Sequence, residues 1–395
     1  MILDKSFPPD PRVGNEAAAL IQQGHEIFLY CFDYGDQAPK TEIIDGIQVH
    51  RVALPKYMYS ISALAYTFPF YHWYLKKSLR RFIQAYDIEA LHIHDMQIAR
   101  AVFWVNKSFQ LPVVLDLHEN RPEIMKYYYH VNTALGKLLI SPKKWKVFES
   151  KYIQAADHVI TVTDEANAYY EDSLNLPGDK FVALPNTVHK AFYTDYAVDS
   201  SILERTKDKF TLLYLGDTGL RRGLLTVIEA MDYLIPTIPN IQLVIVGNSK
   251  EDAILKQAVG DAGLEDYVEF TGWQDFDRFP SYILGAAIGI CPIHRNIHHD
   301  TTFANKVFQY MAFGKPIVVS DCTSQQQLVE QFDCGLVFED RNAQDFADKV
   351  IQLATNKSDY DRLSKNAATA VHDHLNWEII STRLEKIYSH ESDSE

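Results

Sequence analysis

The sequence predicts an α/β protein made of two doubly wound parallel sheets. Three observations carry this expectation. The chain has 395 residues, and at about 100–200 residues per domain two domains are the natural partition. Short apolar runs rich in β-branched and aromatic residues recur along it, separated by longer amphipathic stretches, the pattern of strands covered by helices on both faces. Those runs also end in glycine, histidine or acid, at His94-Asp95, His118-Glu119, Gly216-Asp217, Gly247-Asn248, Gly272-Trp273 and His294-Arg295. In open parallel sheets ligands bind beyond the carboxyl ends of strands.

In the first half, strands are expected at 27–32, 47–52, 90–94, 113–117, 158–163 and 181–184, after a short first strand near the N-terminus. In the second half they are expected at 210–215, 242–246, 268–270, 287–291, 316–320 and 335–338. Helical spacing marks 15–23, 74–85, 224–233 and 344–355. Polar, aperiodic residues 187–201 form the linker, giving domains at 1–188 and 189–375. Residues 376–388 return to helical spacing at Trp377, Ile380, Leu384 and Ile387, and the tail 390–395 reads as disordered.

Composition narrows the function classes. Hydrophobic residues make up 47% and charged residues 23%, enough apolar material for a large core. The formal net charge of −14 argues against nucleic acid as a partner. The charge is uneven: residues 51–151 carry 15 Lys and Arg against 7 Asp and Glu (+8), whereas 189–395 carry 19 against 31 (−12). The four cysteines, Cys31, Cys291, Cys322 and Cys334, form no C-x-x-C pair, so a reduced, cytoplasmic chain is expected. The first residues lack a signal-peptide pattern, and no uncharged apolar run reaches about 18 residues, so no spanning helix is expected.

The segment 300–316 holds the strongest chemical signal. Asp300, Thr301 and Thr302 offer N-caps, and Gly314 before Lys315-Pro316 ends a helix. On that helix Asn305, Lys306 and Gln309 share one face by their spacing, with Val307, Phe308, Met311 and Ala312 on the buried side. A polar helix start beside a cation suits a phosphate and a diol; a solvated polar stripe is the plainer alternative. The loop Gly216-Asp217-Thr218-Gly219-Leu220-Arg221-Arg222-Gly223 follows an apolar run and precedes a helix. Its glycines let backbone approach a diphosphate, and arginine supplies paired donors. Paired surface arginines are common without a ligand.

In the first half, Arg12 and Gly14 sit in a loop candidate between strand and helix, within reach of a ligand if that loop faces a cleft. His94, Asp95 and His118 stand at strand ends, where histidine can donate to a sugar hydroxyl or a leaving phosphate; satisfied core histidines are the alternative. His294, His298 and His299 beside Asp300 resemble a metal cluster, but no helix aligns the rings and no cysteine is near, so no metal is expected there. Residues 56–81 mix eight aromatics with Lys76, Lys77, Arg80 and Arg81. That mixture suits peripheral contact with an anionic membrane or a lipid-linked acceptor, or a core helix with a solvated face.

Taken in order, these pieces resemble the family-four, retaining glycosyltransferases of GT-B fold over nearly the whole length. The residues that carry the resemblance are Pro9-Asp10-Pro11-Arg12-Val13 with Gly24-His25-Glu26, His92-Ile93-His94-Asp95, Leu115-Asp116-Leu117-His118-Glu119, Ala156-Asp157-His158, Leu184-Pro185-Asn186-Thr187, Arg222-Gly223, Val246-Gly247 and Phe308–Pro316. The resemblance implies two Rossmann-like domains facing across a cleft, the second holding a nucleotide diphosphate-sugar and the first an acceptor, saccharide or lipid-linked. It implies that Arg222 and Lys306 neutralise the diphosphate and that His118 approaches the transferred sugar as the catalytic set. Gly14, Gly216, Arg221, Asn248, Gly272, Trp273, Thr301, Asn305 and Gln309 would contact the donor, Trp273 lying against its base. Arg12, His94 and Asp95 would contact the acceptor. No cofactor or metal is expected beyond the sugar nucleotide, and the last segment, 376–395, would cross back to the first domain.

The family carries two glutamates, seven residues between them, where this chain has Thr301 and Gln309. The expected activity is transfer of a sugar to an acceptor hydroxyl with retention of configuration, in bacterial cell-surface polysaccharide or glycoconjugate synthesis. A non-catalytic sugar-nucleotide-binding partner, a GT-B epimerase and a membrane-scaffolding protein are the rivals.

Overall fold

The computed structural model describes residues 1–36 and 38–388; the tail read as disordered lies outside the described residues. The chain divides into two compact units, Met1–Pro185 together with the segment from Ser381 onward, and Asn186–Ile380. The division thus falls at Pro185, three residues before the linker boundary read from polarity. Residues 376–380 stay with the second unit. There Trp377 N–H donates to Val188 O (2.8 Å) and the Asn376 side chain caps Val371 O and His372 O, so this stretch is stitched in by backbone bonds that helical spacing does not reveal. The segment 381–388 packs in the first unit. Arg383 donates to Ala183 O at 2.8 Å, and Tyr388 Oη lies 2.8 Å from His92 Nδ1.

In the first unit the described strands are β1 (Ile2–Leu3), β2 (Phe28–Asp33), β3 (Thr41–Ile44), β4 (Ile47–Ala53), β5 (Leu91–His94), β6 (Val113–Asp116), β7 (His158–Thr161) and β8 (Phe181–Ala183). They lie in the order β3-β4-β2-β1-β5-β6-β7-β8, parallel except for the β3–β4 pair. β3 was not foreseen: its sequence Thr-Glu-Ile-Ile is half polar, and its edge position leaves it partly solvated. The second unit holds β9 (Phe210–Leu215), β10 (Ile241–Val246), β11 (Val268–Gly272), β12 (Ile288–Cys291), β13 (Ile317–Ser320) and β14 (Gly335–Phe338) in the order β11-β10-β9-β12-β13-β14. The strands described there are parallel. Central strands such as β5, β6, β12 and β13 are buried throughout, which is why they read as unbroken apolar runs.

Among the parallel strands the order reverses between β1 and β5 in the first unit and between β9 and β12 in the second. Such reversals open a crevice at the strand carboxyl ends, and they place His94-Asp95 in one unit and Gly216-Asp217 in the other.

Residues 56–81 are partly buried and partly exposed. Tyr66, Tyr71, Leu75 and Leu79 enter the core of the first unit. Phe70, Trp73 and Tyr74 stay exposed on the helix Phe70–Ala85, beside the exposed side chains of Lys76, Lys77, Arg80 and Arg81. Lys76 Nζ stands 5.6 Å from the Trp104 ring. Among the described residues no helix is long and apolar enough to cross a membrane.

Candidate functional site

In the second unit β9 runs into Gly216, whose φ of 109° is left-handed territory that glycine adopts without strain. A Cβ there would stand 3.6 Å from Lys306 Nζ. The loop turns through a short 3₁₀ helix, Leu220–Arg222, and Asp217 organises it: one carboxylate oxygen accepts from Gly219 N–H (3.2 Å), the other from Arg222 Nε (3.0 Å) and Arg221 Nη2 (3.3 Å). Burial works against the Asp217 charge, but Arg222 outweighs it and holds the carboxyl below its usual range. The remaining nitrogens of Arg222 have no partner among the described residues. Gly223 (φ 75°) is fixed by space, since a Cβ would sit 1.8 Å from Pro292 O. Gly247 packs on Gly216 in the same way and bonds across to Gly272.

Lys306 is the centre of this cluster. It is 8% exposed, and its Nζ lies 3.4 Å from the centroid of the Tyr214 ring, a cation–π contact. No hydrogen bond or carboxylate ion pair reaches its ammonium among the described residues. Burial is the main cause that pushes its pKa from the usual range down to about 7; Cys291 and Asp217 act against that shift, and Arg222 and Arg221 act with it. An ammonium buried without a carboxylate, beside a guanidinium with open donors, makes a positive cluster that an anion would neutralise.

The first unit holds a denser network. Asp116, at the end of β6, accepts from Arg12 Nε (2.8 Å) and Nη2 (2.6 Å), with His118 Nε2 at 2.9 Å and His94 Nδ1 at 3.1 Å. Arg12 also donates to Leu184 O (2.9 Å), and its Nε is 3.0 Å from Glu16. Burial alone would raise Asp116, but Arg12 and then His118 hold it well below the carboxylate range. Burial and the Asp116 charge push Glu16 well above the usual carboxylate range, against the pull of Arg12. The His94 imidazole is driven down to about 4, chiefly by burial, and stays neutral. Ligand atoms of Glu16, His92, His94 and Asp116 lie within 4.8 Å of one another, a set that could take a cation. The Arg12 guanidinium already supplies positive charge to both carboxyl groups of that set.

Asp95 adopts φ 68°, a strained conformation for a non-glycine residue. It caps the following helix through Met96 N–H (2.9 Å) and pairs with Arg121, which also meets Glu119 at 3.1 Å. Against the effect of burial, Arg121 lowers Asp95 to about 2.

Comparison with known proteins decides what these two sites belong to. The family model described as "Glycosyl transferases group 1" matches residues 197–370, and the "Glycosyl transferase 4-like domain" matches residues 9–187. The chain belongs to this glycosyltransferase family. Its curated relatives include an alpha-D-kanosaminyltransferase of Streptomyces kanamyceticus, 25% identical over 75% of each chain. A phosphatidyl-myo-inositol mannosyltransferase of Mycolicibacterium smegmatis is 22% identical over 94% of this chain and 87% of its own. Among solved structures, sucrose-phosphate synthase from Thermosynechococcus elongatus superposes with a TM-score of 0.76 at 17% identity, over 97% of this chain and 93% of that one. HepE of Anabaena in complex with UDP gives 0.70 at 15%, over 98% and 99%. At those identities the structural likeness establishes the fold, which is GT-B.

Within this glycosyltransferase, the residues singled out in the sequence fall into three groups. Gly216, Arg221, Arg222 and Lys306 converge at the second unit's crevice, with Arg221 also 3.3 Å from His299. His94, Asp95 and His118 converge in the first unit. The others have the following surroundings. Arg12 is 7% exposed and its guanidinium is committed to Asp116, Glu16 and Leu184 O, because a buried arginine must meet carboxylate and carbonyl acceptors. Gly14 lies inside the helix Pro11–Gln22, not in a loop, since Asp10 caps that helix early. Thr301 is buried, its hydroxyl bonded to Ile297 O and His298 O.

The expected single helix from residue 300 is two: Ile297–Asp300, capped by Asn296, and Lys306–Ala312. Thr301 therefore does not share a helix face with Gln309. Lys306 is buried, Asn305 exposed and Gln309 half-buried. Asn248 is exposed, and Trp273 is 67% exposed with Gly272 at φ 68° before it. The three histidines do not converge: His294 pairs with Asp340 (2.7 Å), and His299 Nδ1 meets His294 O (2.6 Å).

Sequence reasoning missed four residues that shape the sites. Tyr214 supplies the ring beneath Lys306, Asp217 fixes both arginines, Asp116 is the hub of the first network, and Arg121 holds Asp95. An acid ending a wholly apolar run, as in Val-Val-Leu-Asp, was the available signal for Asp116.

Proposed function

We propose that this glycosyltransferase takes its sugar from a nucleoside diphosphate-sugar held by the second unit and passes it to an acceptor hydroxyl with retention of configuration, as a hexosyl transferase of glycoconjugate synthesis. The observation that carries the donor assignment is the Lys306 ammonium, buried without a carboxylate beside Gly216 and the open donors of Arg222. As the glycosidic bond breaks, charge grows on the departing phosphate, and preorganised cations there lower the barrier. HepE of Anabaena in complex with UDP supports a uridine donor. Retention is supported by the family resemblance. His118 is the first-unit residue assigned to the transferred sugar, oriented by Asp116.

Neutral Thr301 and Gln309 in place of two carboxylates leave the donor's diols with weaker partners, since charge-assisted hydrogen bonds are about twice as strong as neutral ones. Donor affinity then leans on the diphosphate. We further propose that no divalent metal is needed, because Arg222 and Lys306 supply the positive charge, and that the chain works in the reducing cytoplasm, where its four buried thiols stay free. Peripheral contact with an anionic membrane is assigned to residues 56–81.

The test is a thermal-shift panel of UDP-, GDP-, ADP- and CMP-sugars, repeated in EDTA, followed by NMR of the product anomer. One donor raises the melting temperature with or without EDTA, and the product keeps the donor's anomeric configuration. A panel in which no sugar nucleotide stabilises the protein sinks the donor site, and an inverted product sinks retention.

The Lys306 environment also sets a pH dependence. Free Lys306 loses its proton as pH rises through about 7. Bound diphosphate favours the charged form, so above pH 7 binding takes up a proton and affinity falls with rising pH, by roughly tenfold per unit at most. Calorimetry in two buffers of different ionisation enthalpy should show that uptake at pH 8 in the parent and none in Lys306→Ala.

A further inference from the structure

We propose that a cavity within the first unit holds the hydrocarbon chain of an amphiphilic acceptor, whose neutral, hydroxyl-bearing head lies at Arg121. This rests on the transferase reading above and names the acceptor class it leaves open. The cavity has a volume of about 830 Å³, within the range of small-molecule sites. Tyr59, Leu64, Met125, Leu135, Leu139 and Trp145 are among its walls. Ser60, Ser62, Tyr128, His130 and Thr133 line it too and give a polar head partners, while each methylene buried against the apolar walls is favourable.

Three further observations point to an occupant. The buried Gln97 Oε1 and Arg121 Nε have no hydrogen-bond partner among the described residues, and both residues line the cavity. Buried polar atoms are rarely left unmatched, and a hydroxyl-bearing head would satisfy the Gln97 oxygen and the Arg121 nitrogen. Leu135, which lines the cavity, is 65% exposed on the short helix Ala134–Leu139, and Tyr59 and Tyr127 beside it are exposed too. Finally, the cavity is continuous with the reacting network through Arg121, which lines it and pairs with Asp95 and Glu119. Two carboxylates already neutralise that guanidinium, so the head need not be anionic.

The probe is n-decyl β-D-glucopyranoside below its micellar concentration, titrated calorimetrically into the full chain beside the methyl and phenyl glucosides. Decyl should bind at least roughly tenfold tighter than methyl, as burial of an alkyl chain requires. Leu135→Glu at the exposed rim and Ala63→Phe, which fills the cavity, should each weaken decyl binding at least roughly tenfold and leave a nucleoside diphosphate bound as in the parent. Equal affinity for methyl and decyl, tighter binding of phenyl than decyl, or decyl binding unchanged in both variants would overturn the proposal. Titration with UDP separates the two readings: a protein that binds UDP but not the decyl chain loses only the chain site. One that binds the chain in this variant-sensitive way but no nucleoside diphosphate loses the donor assignment and keeps the cavity.

Discussion

Lys306→Ala is expected to lower turnover roughly 10²–10³-fold at saturating donor, the usual cost of removing one preorganised group that meets developing charge, while the protein stays folded. The two halves of that expectation follow from one geometry. Lys306 Nζ stands over the Tyr214 ring and makes no ion pair with a carboxylate among the described residues. Removing it therefore strands no buried anion, and it relieves the burial of a charge that folding alone does not need. Stability should be unchanged or slightly higher while catalysis falls, a combination that general damage to the unit would not produce. Arg222→Ala should act in the same direction, but it also releases Asp217, so the loop between Gly216 and Gly223 loosens and donor affinity falls as well. Steady-state kinetics with denaturant unfolding on the same preparations check both variants. Rates near the parent's in both would end the role given to these cations.

Asp116→Asn in the first unit should have the opposite signature, a large loss of stability. Asp116 is fully buried and answers Arg12 with two hydrogen bonds, while His94 and His118 share its second oxygen. An amide there can offer only one acceptor oxygen and presents an N–H₂ group toward a guanidinium that is itself buried. Breaking one partner of a buried ion pair costs about 3–5 kcal/mol, mostly through the charge left behind. Chemical denaturation reads it directly. The paired replacement Arg12→Met with Asp116→Leu, which removes both charges, should recover part of the loss. An Asp116→Asn protein within about 1 kcal/mol of the parent would show that Arg12 finds its stability elsewhere.

The two variants divide along the line between what the chain announces and what the fold arranges. Strand positions were readable because parallel strands buried on both faces must be apolar along their whole length; β9 and β14 were placed to the residue. The cationic loop of the second unit was readable for a related reason. Gly216, Arg221, Arg222 and Gly223 are contiguous, and a glycine-bearing turn between a strand and a helix is a local pattern. Lys306 was legible as a cation in a glutamine- and asparagine-bearing segment, but its burial was not.

The helix start at Lys306 was misplaced because two signals competed. Asp300, Thr301 and Thr302 are good capping residues, yet Asn296 caps the preceding turn, and the two threonine hydroxyls bond back to Ile297 O and His298 O. They close one short helix instead of opening the next.

By itself, then, the sequence determined the α/β class, the partition into two sheets, the alternation of their elements and the cationic glycine-bearing loop, since each of these depends on periodicity or on neighbours in the chain. Only the tertiary structure decided that Lys306 sits on Tyr214, that Arg12 serves Asp116 across 104 positions of sequence, and that the acids and histidines of β5 and β6 share one network. Those pairings are set by which strands lie side by side and where their order reverses. Burial then fixes which charges must find partners there and which, like Lys306, stand without a carboxylate among the described residues.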